Sequence, residues 1–174
     1  FLRQHLQGGL VALREPVDAC FGRRAPRLLD VGVGNGTATR AWALAHPDRD
    51  VVAVELHRPG LVALLRDLDA AGPSNVRVLE ADVEAVLAAA EPGDLHDVRV
   101  LFPDPWPKRR HEGRRLVDRR FVARVADLLA PGGTLHVATD HWAYADQVRD
   151  ALDAEAHFEA RAGAVGGRVD GEGW

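Results

Sequence analysis

The sequence has 174 residues, of which 47% are hydrophobic and 28% charged, with a formal net charge of −4. This is globular composition with enough apolar side chain for a core, which excludes a disordered tail or a collagen-like fibre. No apolar run approaches the roughly 20 residues of a membrane-spanning helix, and the first twenty residues carry charge throughout instead of a secretory apolar region, so a soluble, cytoplasmic protein without membrane contact is expected.

In chain order, a helical lead-in is predicted over residues 1 to 22. It contains Cys20, the single cysteine, which excludes an internal disulfide or a cysteine cluster for a metal and reads as a small packing residue. Short apolar runs bounded by turn residues then alternate with longer segments of helical period. The strands are predicted at 27 to 31, 50 to 55, 75 to 80, 96 to 102 and 133 to 139. The helices are predicted at 36 to 46, 58 to 72, 82 to 90, 118 to 133 and 141 to 154, with Pro59 in a first turn and Gly72 and Pro131-Gly132 as stops. Each strand is short, rich in Val and Leu and apolar on both faces, as buried parallel strands are. The expectation is an α/β, doubly wound, mainly parallel sheet in one domain spanning residues 1–174.

In such a sheet ligands gather beyond the carboxyl ends of the strands. Those ends carry Asp30, Glu55, Asp82, Asp104 and Asp140, so every strand delivers a carboxylate to one edge. Asp82 and Asp140 each precede a helix and could serve as its cap. Five acids at one edge are harder to explain as caps alone.

The segment from Asp30 to Gly36 is a strand running into a glycine-rich turn that opens a helix, where Gly32, Gly34 and Gly36 let the backbone approach a ligand closely. Glu55 ends the next strand, in position to accept both hydroxyls of a ribose. The loop reads G-x-G-x-G led by an acid, not the G-x-G-x-x-G of dinucleotide sites. It resembles the adenosylmethionine loop of Rossmann-like methyltransferases, in which the leading acid, here Asp30, faces the ligand's ammonium group. Asp82 would then accept from the adenine amino group.

Strand four runs into Phe102-Pro103-Asp104-Pro105-Trp106-Pro107-Lys108, where three prolines fix the backbone that presents Asp104, Trp106 and Lys108. Trp106 is open to two roles, stacking on a base or packing down. Residues 108 to 120 follow with seven Lys or Arg and two acids, a net +5 that leaves −9 for the rest of the chain. Such asymmetry points to a polyanion, the alternative being a solvated arginine-rich loop.

The string FPDPWPK followed by RRHEGRRL, with LLDVGVGNG and VAVELHRPG upstream and LHVATDHWAYA downstream, resembles the bacterial tRNA (guanine-N7-)-methyltransferase family from about Arg27 to Asp150. The resemblance implies a Rossmann-like fold and transfer of a methyl group from S-adenosyl-L-methionine to N7 of a guanosine in the variable loop of tRNA. It implies cofactor contacts by Asp30, Glu55, Asp82 and Asp104, and tRNA contacts by Lys108, by the stretch from Arg110 to Arg115 (Arg110, Arg114 and Arg115 among them) and by Asp140. The family often has Asn and a basic residue where this chain has Glu112-Gly113. Its closing strand and Thr-x-[Tyr/Phe]-Glu motif do not occur within the 174 residues, and the chain begins at Phe1 with no Met, so truncation at both ends is expected.

Guanine N7 carries an in-plane lone pair, so no side-chain nucleophile and no metal is required, and the eight histidines show no metal-ligand spacing. What a protein must supply is in-line placement and stabilisation of the positive charge growing on the purine. Asp104 is expected to be the main catalytic group and Asp140 to orient the base through N1 and N2 hydrogens. Two rivals remain: a nicotinamide oxidoreductase, disfavoured by the glycine spacing and the lack of a Tyr-x-x-x-Lys pair, and a non-catalytic RNA-binding module.

Overall fold

The computed structural model describes residues 21–160. The expected lead-in helix falls almost wholly outside the described residues, as does Cys20. Five strands, β1 (Arg27–Val31), β2 (Asp50–Glu55), β3 (Val76–Glu80), β4 (Leu95–Leu101) and β5 (Leu129–Ala138), alternate with helices. These are α1 (Thr37–Ala45), α2 (Arg58–Ala71), α3 (Val83–Ala89), α4 (Arg119–Leu128) and α5 (Trp142–Asp153), with a 3-10 helix over Arg109–Arg114. All pairings are parallel, in the order β3-β2-β1-β4-β5. The expected doubly wound α/β sheet is therefore present.

Successive side chains of a strand point to opposite faces, and the apolar residues separate accordingly. Leu28, Val51, Ala53, Val76 and Val78 pack under Leu61, Leu64, Leu65 and Leu68 of α2 and Ala43 of α1. Leu29, Val31, Val52, Val54, Val98 and Val100 pack on the other face against α3, α4 and α5, where Val86, Phe121, Val125 and Tyr144 are buried. All five residues of β1 are buried: Leu28, Leu29 and Val31 supply its apolar faces, and Arg27 and Asp30 are the charged residues buried with them.

One element differs from expectation. Helix α4 ends at Leu128 rather than near residue 133, and β5 begins at once, pairing Leu129 with Leu95 before the register shifts to Thr134 opposite Asp97. Pro131 disfavours helix at Ala130, and Gly132 turns with φ 80°. Gly133 passes so close that a Cβ there would sit 2.7 Å from the carbonyl oxygen of His96.

The strand order reverses at β1, whose neighbours are β2 on one side and β4 on the other. The loops leaving β1 and β4 therefore diverge and open a crevice between them, the switch point at which such sheets bind ligands. The glycine turn leaves β1 there and the Pro-rich turn leaves β4.

Candidate active site

Gly32, Gly34 and Gly36 all adopt positive φ, at 67°, 56° and 76°, where an L side chain is strained. Their surroundings differ. A Cβ on Gly32 or Gly34 would meet nothing within 4 Å, whereas one on Gly36 would run into the Leu64 side chain. The first two glycines thus border open space at the sheet edge, and the third lets α1 pack on α2. Gly32 N–H donates to the carbonyl of Val54 (2.8 Å), tying the turn to β2. Gly60 is a further member that sequence reasoning missed: its Cβ would lie 2.5 Å from the carbonyl oxygen of Gly34, so α2 abuts the loop backbone directly.

Glu55 stands at the carboxyl end of β2 beside this turn. One carboxylate oxygen accepts from Gly34 N–H (2.8 Å), and the other accepts from Leu56 and His57 N–H at 2.7 and 2.8 Å. The side chain is held rigidly without a cation, and four lone-pair sites on two oxygens leave room for a further donor.

Asp30 is placed otherwise than expected. It is 3% exposed and sits opposite Arg99 in register. One oxygen accepts from Arg99 Nε (3.0 Å), and the other from Arg99 Nη2 (2.5 Å) and Thr39 Oγ1 (2.7 Å). The carboxylate lies beneath the turn and locks β4 and α1 to it, a geometry that fits support of the loop better than contact with an ammonium group. A charge in the interior of each of two buried strands was the sequence signal for this pair, since a buried charge needs a partner.

Asp82 caps α3, accepting from Glu84 N–H (2.9 Å). The capping role is thus realised, and the residue is also exposed at the edge. Asp104 and Asp140 contrast with all three. Both are exposed, and among the described residues neither carboxylate has a hydrogen bond or ion pair. They leave adjacent strand ends, because Leu101 pairs with Ala138 and Phe102 N–H donates to the carbonyl of Ala138 (2.8 Å).

The turn that carries Asp104 is bracketed by two left-handed non-glycine residues, Phe102 (φ 49°) and Trp106 (φ 42°). Such conformations cost on the order of 1 kcal/mol or more each and persist where surrounding structure dictates them. Pro103, Pro105 and Pro107 fix the alternate positions. Trp106 is half-buried, with the Arg114 guanidinium 5.0 Å from its ring and His111 meeting it edge-on at 5.7 Å. Of the two roles open to it, packing is the one this geometry supports.

The basic segment is a 3-10 helix, not a loose loop, and Lys108, Arg109, Arg110 and Arg114 are exposed along it. Arg115 must be corrected. It is 5% exposed, with Nε donating to the Pro105 carbonyl and Nη1 to Gln147 Oε1, both at 2.8 Å. Its guanidinium lies 5.3 Å from the centre of the Tyr144 ring. Turned inward and bonded through Nε and Nη1, Arg115 is placed as a structural tie between the Asp104 turn and α5, apart from the exposed cations. Tyr144 completes the tie: its buried hydroxyl accepts from Val117 N–H (2.8 Å), and burial raises its phenol pKa.

Known proteins resemble this chain over most of its length. The Methyltransf_4 methyltransferase family model matches residues 24–164. The tRNA (guanine-N(7)-)-methyltransferase of Alkalilimnicola ehrlichii is 49% identical over 84% of this chain and 62% of its own length. That of Thiobacillus denitrificans is 44% identical over 88% of this chain and 68% of its own. The chain belongs to the tRNA (guanine-N7-)-methyltransferase family. It spans 62% and 64% of the lengths of the Alkalilimnicola and Halorhodospira halophila relatives. Solved structures share the family's fold at low identity. A precorrin-6y C5,15-methyltransferase from Geobacter metallireducens aligns with TM-score 0.60 at 15% identity over 79% of this chain and 66% of its own. An S-adenosylmethionine-dependent O-methyltransferase from Thermotoga maritima gives 0.56 at 17% over 75% and 44%.

Proposed function

We propose that this protein transfers a methyl group from S-adenosyl-L-methionine to N7 of a guanosine in tRNA, in the cytoplasm. The observation that carries the reading is the pair of open carboxylates, Asp104 and Asp140, on adjacent strand ends at the switch point, followed by an exposed basic helix. The family membership supports the same reaction.

The residues present fit the cofactor. Gly32 and Gly34 border space that a side chain would fill, and Glu55 is a rigid acceptor next to them; Asp82 and Asp104 offer further carboxylates along the edge. Adenosylmethionine supplies a methyl group on a sulfonium, and the in-plane lone pair of guanine N7 can take it without first losing a proton. Asp104 and Asp140 accept from the N1 and N2 hydrogens of the base, which orients it. Their negative charge also stabilises the positive charge that develops on the purine, and among the described residues neither carboxylate is held in an ion pair. N7 lies on the major-groove edge of a pair, so the base must be free or lifted out to reach this edge. Lys108, Arg110 and Arg114 would take up the flanking phosphates.

The test is methyl transfer to tRNA followed by nucleoside analysis for 7-methylguanosine. Asp104→Asn should lower the single-turnover rate by on the order of 10² while tRNA affinity stays near the parent value. Equal rates for variant and parent would remove Asp104 from the chemistry. A thermal-shift screen with adenosylmethionine, adenosylhomocysteine and NAD separates this reading from an oxidoreductase and from a non-catalytic RNA-binding module.

A further inference from the structure

Carboxylates that accept from N1 and N2 fix the edge of a guanine but leave its plane free to tilt about that edge. The reacting lone pair of N7 lies in the plane of the ring, so an unrestrained tilt would spoil in-line attack. A second restraint, against the face of the base, is needed. Trp106 is poorly placed to supply it, being engaged by Arg114 and His111.

Two other aromatic side chains stand open at the same edge. Phe102 is 55% and Trp142 62% exposed, and these are the large aromatic residues left exposed among the described residues. Phe102 directly follows β4, and its N–H is bonded to Ala138 at the end of β5. Trp142 opens α5, two residues after Asp140. Both therefore rise from the adjacent strand ends that carry Asp104 and Asp140. Phe102 is also held in left-handed backbone, a conformation that sets its side chain off the strand's ordinary alternation. Exposed aromatic surface next to a basic segment suits unpaired nucleotides, whose bases stack while their phosphates meet arginine.

We propose that Phe102 and Trp142 form the aromatic platform on which the target purine stacks, a role that rests on the tRNA reading above. The platform restrains the plane of the base, the two carboxylates restrain its edge, and the exposed cations of the 3-10 helix hold the phosphates.

The experiment compares kcat/KM for tRNA, adenosylhomocysteine affinity by calorimetry and melting temperature for the parent, Phe102→Ala and three variants of Trp142, to Ala, Leu and Phe. Trp142→Ala and Phe102→Ala should each lower kcat/KM about ten-fold or more, and Trp142→Phe should keep it within about three-fold of the parent, because every aromatic offers a stacking face. Cofactor affinity and melting temperature should stay at parent values, since both side chains lie at the surface. Parental kcat/KM in both alanine variants overturns the platform while leaving the methyl-transfer reading intact. Trp142→Leu performing as well as Trp142→Phe also overturns it, by showing that apolar contact suffices, as a protein partner would require. A parent that binds adenosylhomocysteine and methylates no tRNA overturns the function reading and the platform with it.

Discussion

Arg114 and Arg115 are identical neighbours in a basic run, yet the structure assigns them opposite environments, and Arg115→Ala measures the difference. Truncation removes two short charge-assisted bonds, to Pro105 and to Gln147, besides a longer one to the Ala143 carbonyl. It leaves both acceptors in a half-buried place, at about 1–3 kcal/mol each, and the contact with the Tyr144 ring is worth about 0.5–2 kcal/mol more. Relaxation and water entry offset part of this, so the expected loss is roughly 3–5 kcal/mol, the range seen when a buried charged network is broken. At about 2–4 °C per kcal/mol for a chain of this size, the melting temperature should fall by roughly 6–20 °C. Arg110→Ala, at an exposed position, should stay within about 0.5 kcal/mol of the parent. The two variants should also separate in tRNA binding measured across a salt series. Arg110→Ala should flatten the slope by about 0.7–0.9 log units for its one lost phosphate contact. Arg115→Ala, assayed below its melting transition, should keep the parental slope while turnover falls, because the turn bearing Asp104 has lost its tie to α5. Should Arg115→Ala melt with the parent and flatten the salt slope as Arg110→Ala does, the assignment of Arg115 as a buried tie is wrong.

Gly60→Ala should weaken adenosylhomocysteine binding and cost about 1–3 kcal/mol of stability, as overpacking does, since the new methyl meets the Gly34 carbonyl and must displace the glycine turn; unchanged calorimetric affinity would show that the turn is not the cofactor cradle. Tyr144→Phe should cost about 1–3 kcal/mol in chemical denaturation by leaving the buried Val117 N–H without its acceptor. An unchanged denaturation midpoint for that variant would mean that another group satisfies the Val117 N–H.

The alternation of short Val- and Leu-rich runs with helical segments was enough to place all five strands and the helices between them, because strand burial and helical period are written in neighbouring residues. The same holds for the glycine turn, whose backbone demands are met by the residues within it, and for the prolines of the turn after β4, whereas the left-handed backbone of Phe102 and Trp106 in that turn is dictated by the surrounding structure. Even the early end of α4 was legible in part, since Pro131 acts on the residue before it. The locations of Asp104 and Asp140 followed from strand ends alone.

Which carboxylates stay open and which cations stay free could not be read that way. Asp30 and Arg99 are separated by 69 residues and meet because β1 and β4 are in register. Arg115 is buried because Pro105 and Gln147, 10 and 32 residues away, converge on it, while Arg114 one position earlier faces outward over Trp106. Sequence determined where charge and aromatic surface are delivered, since that depends on local backbone geometry. Tertiary structure decided which of those groups are consumed internally, because a buried charge must be neutralised by whatever partner the packing brings within bonding distance, and that partner is set by strand order and helix placement rather than by the residues alongside.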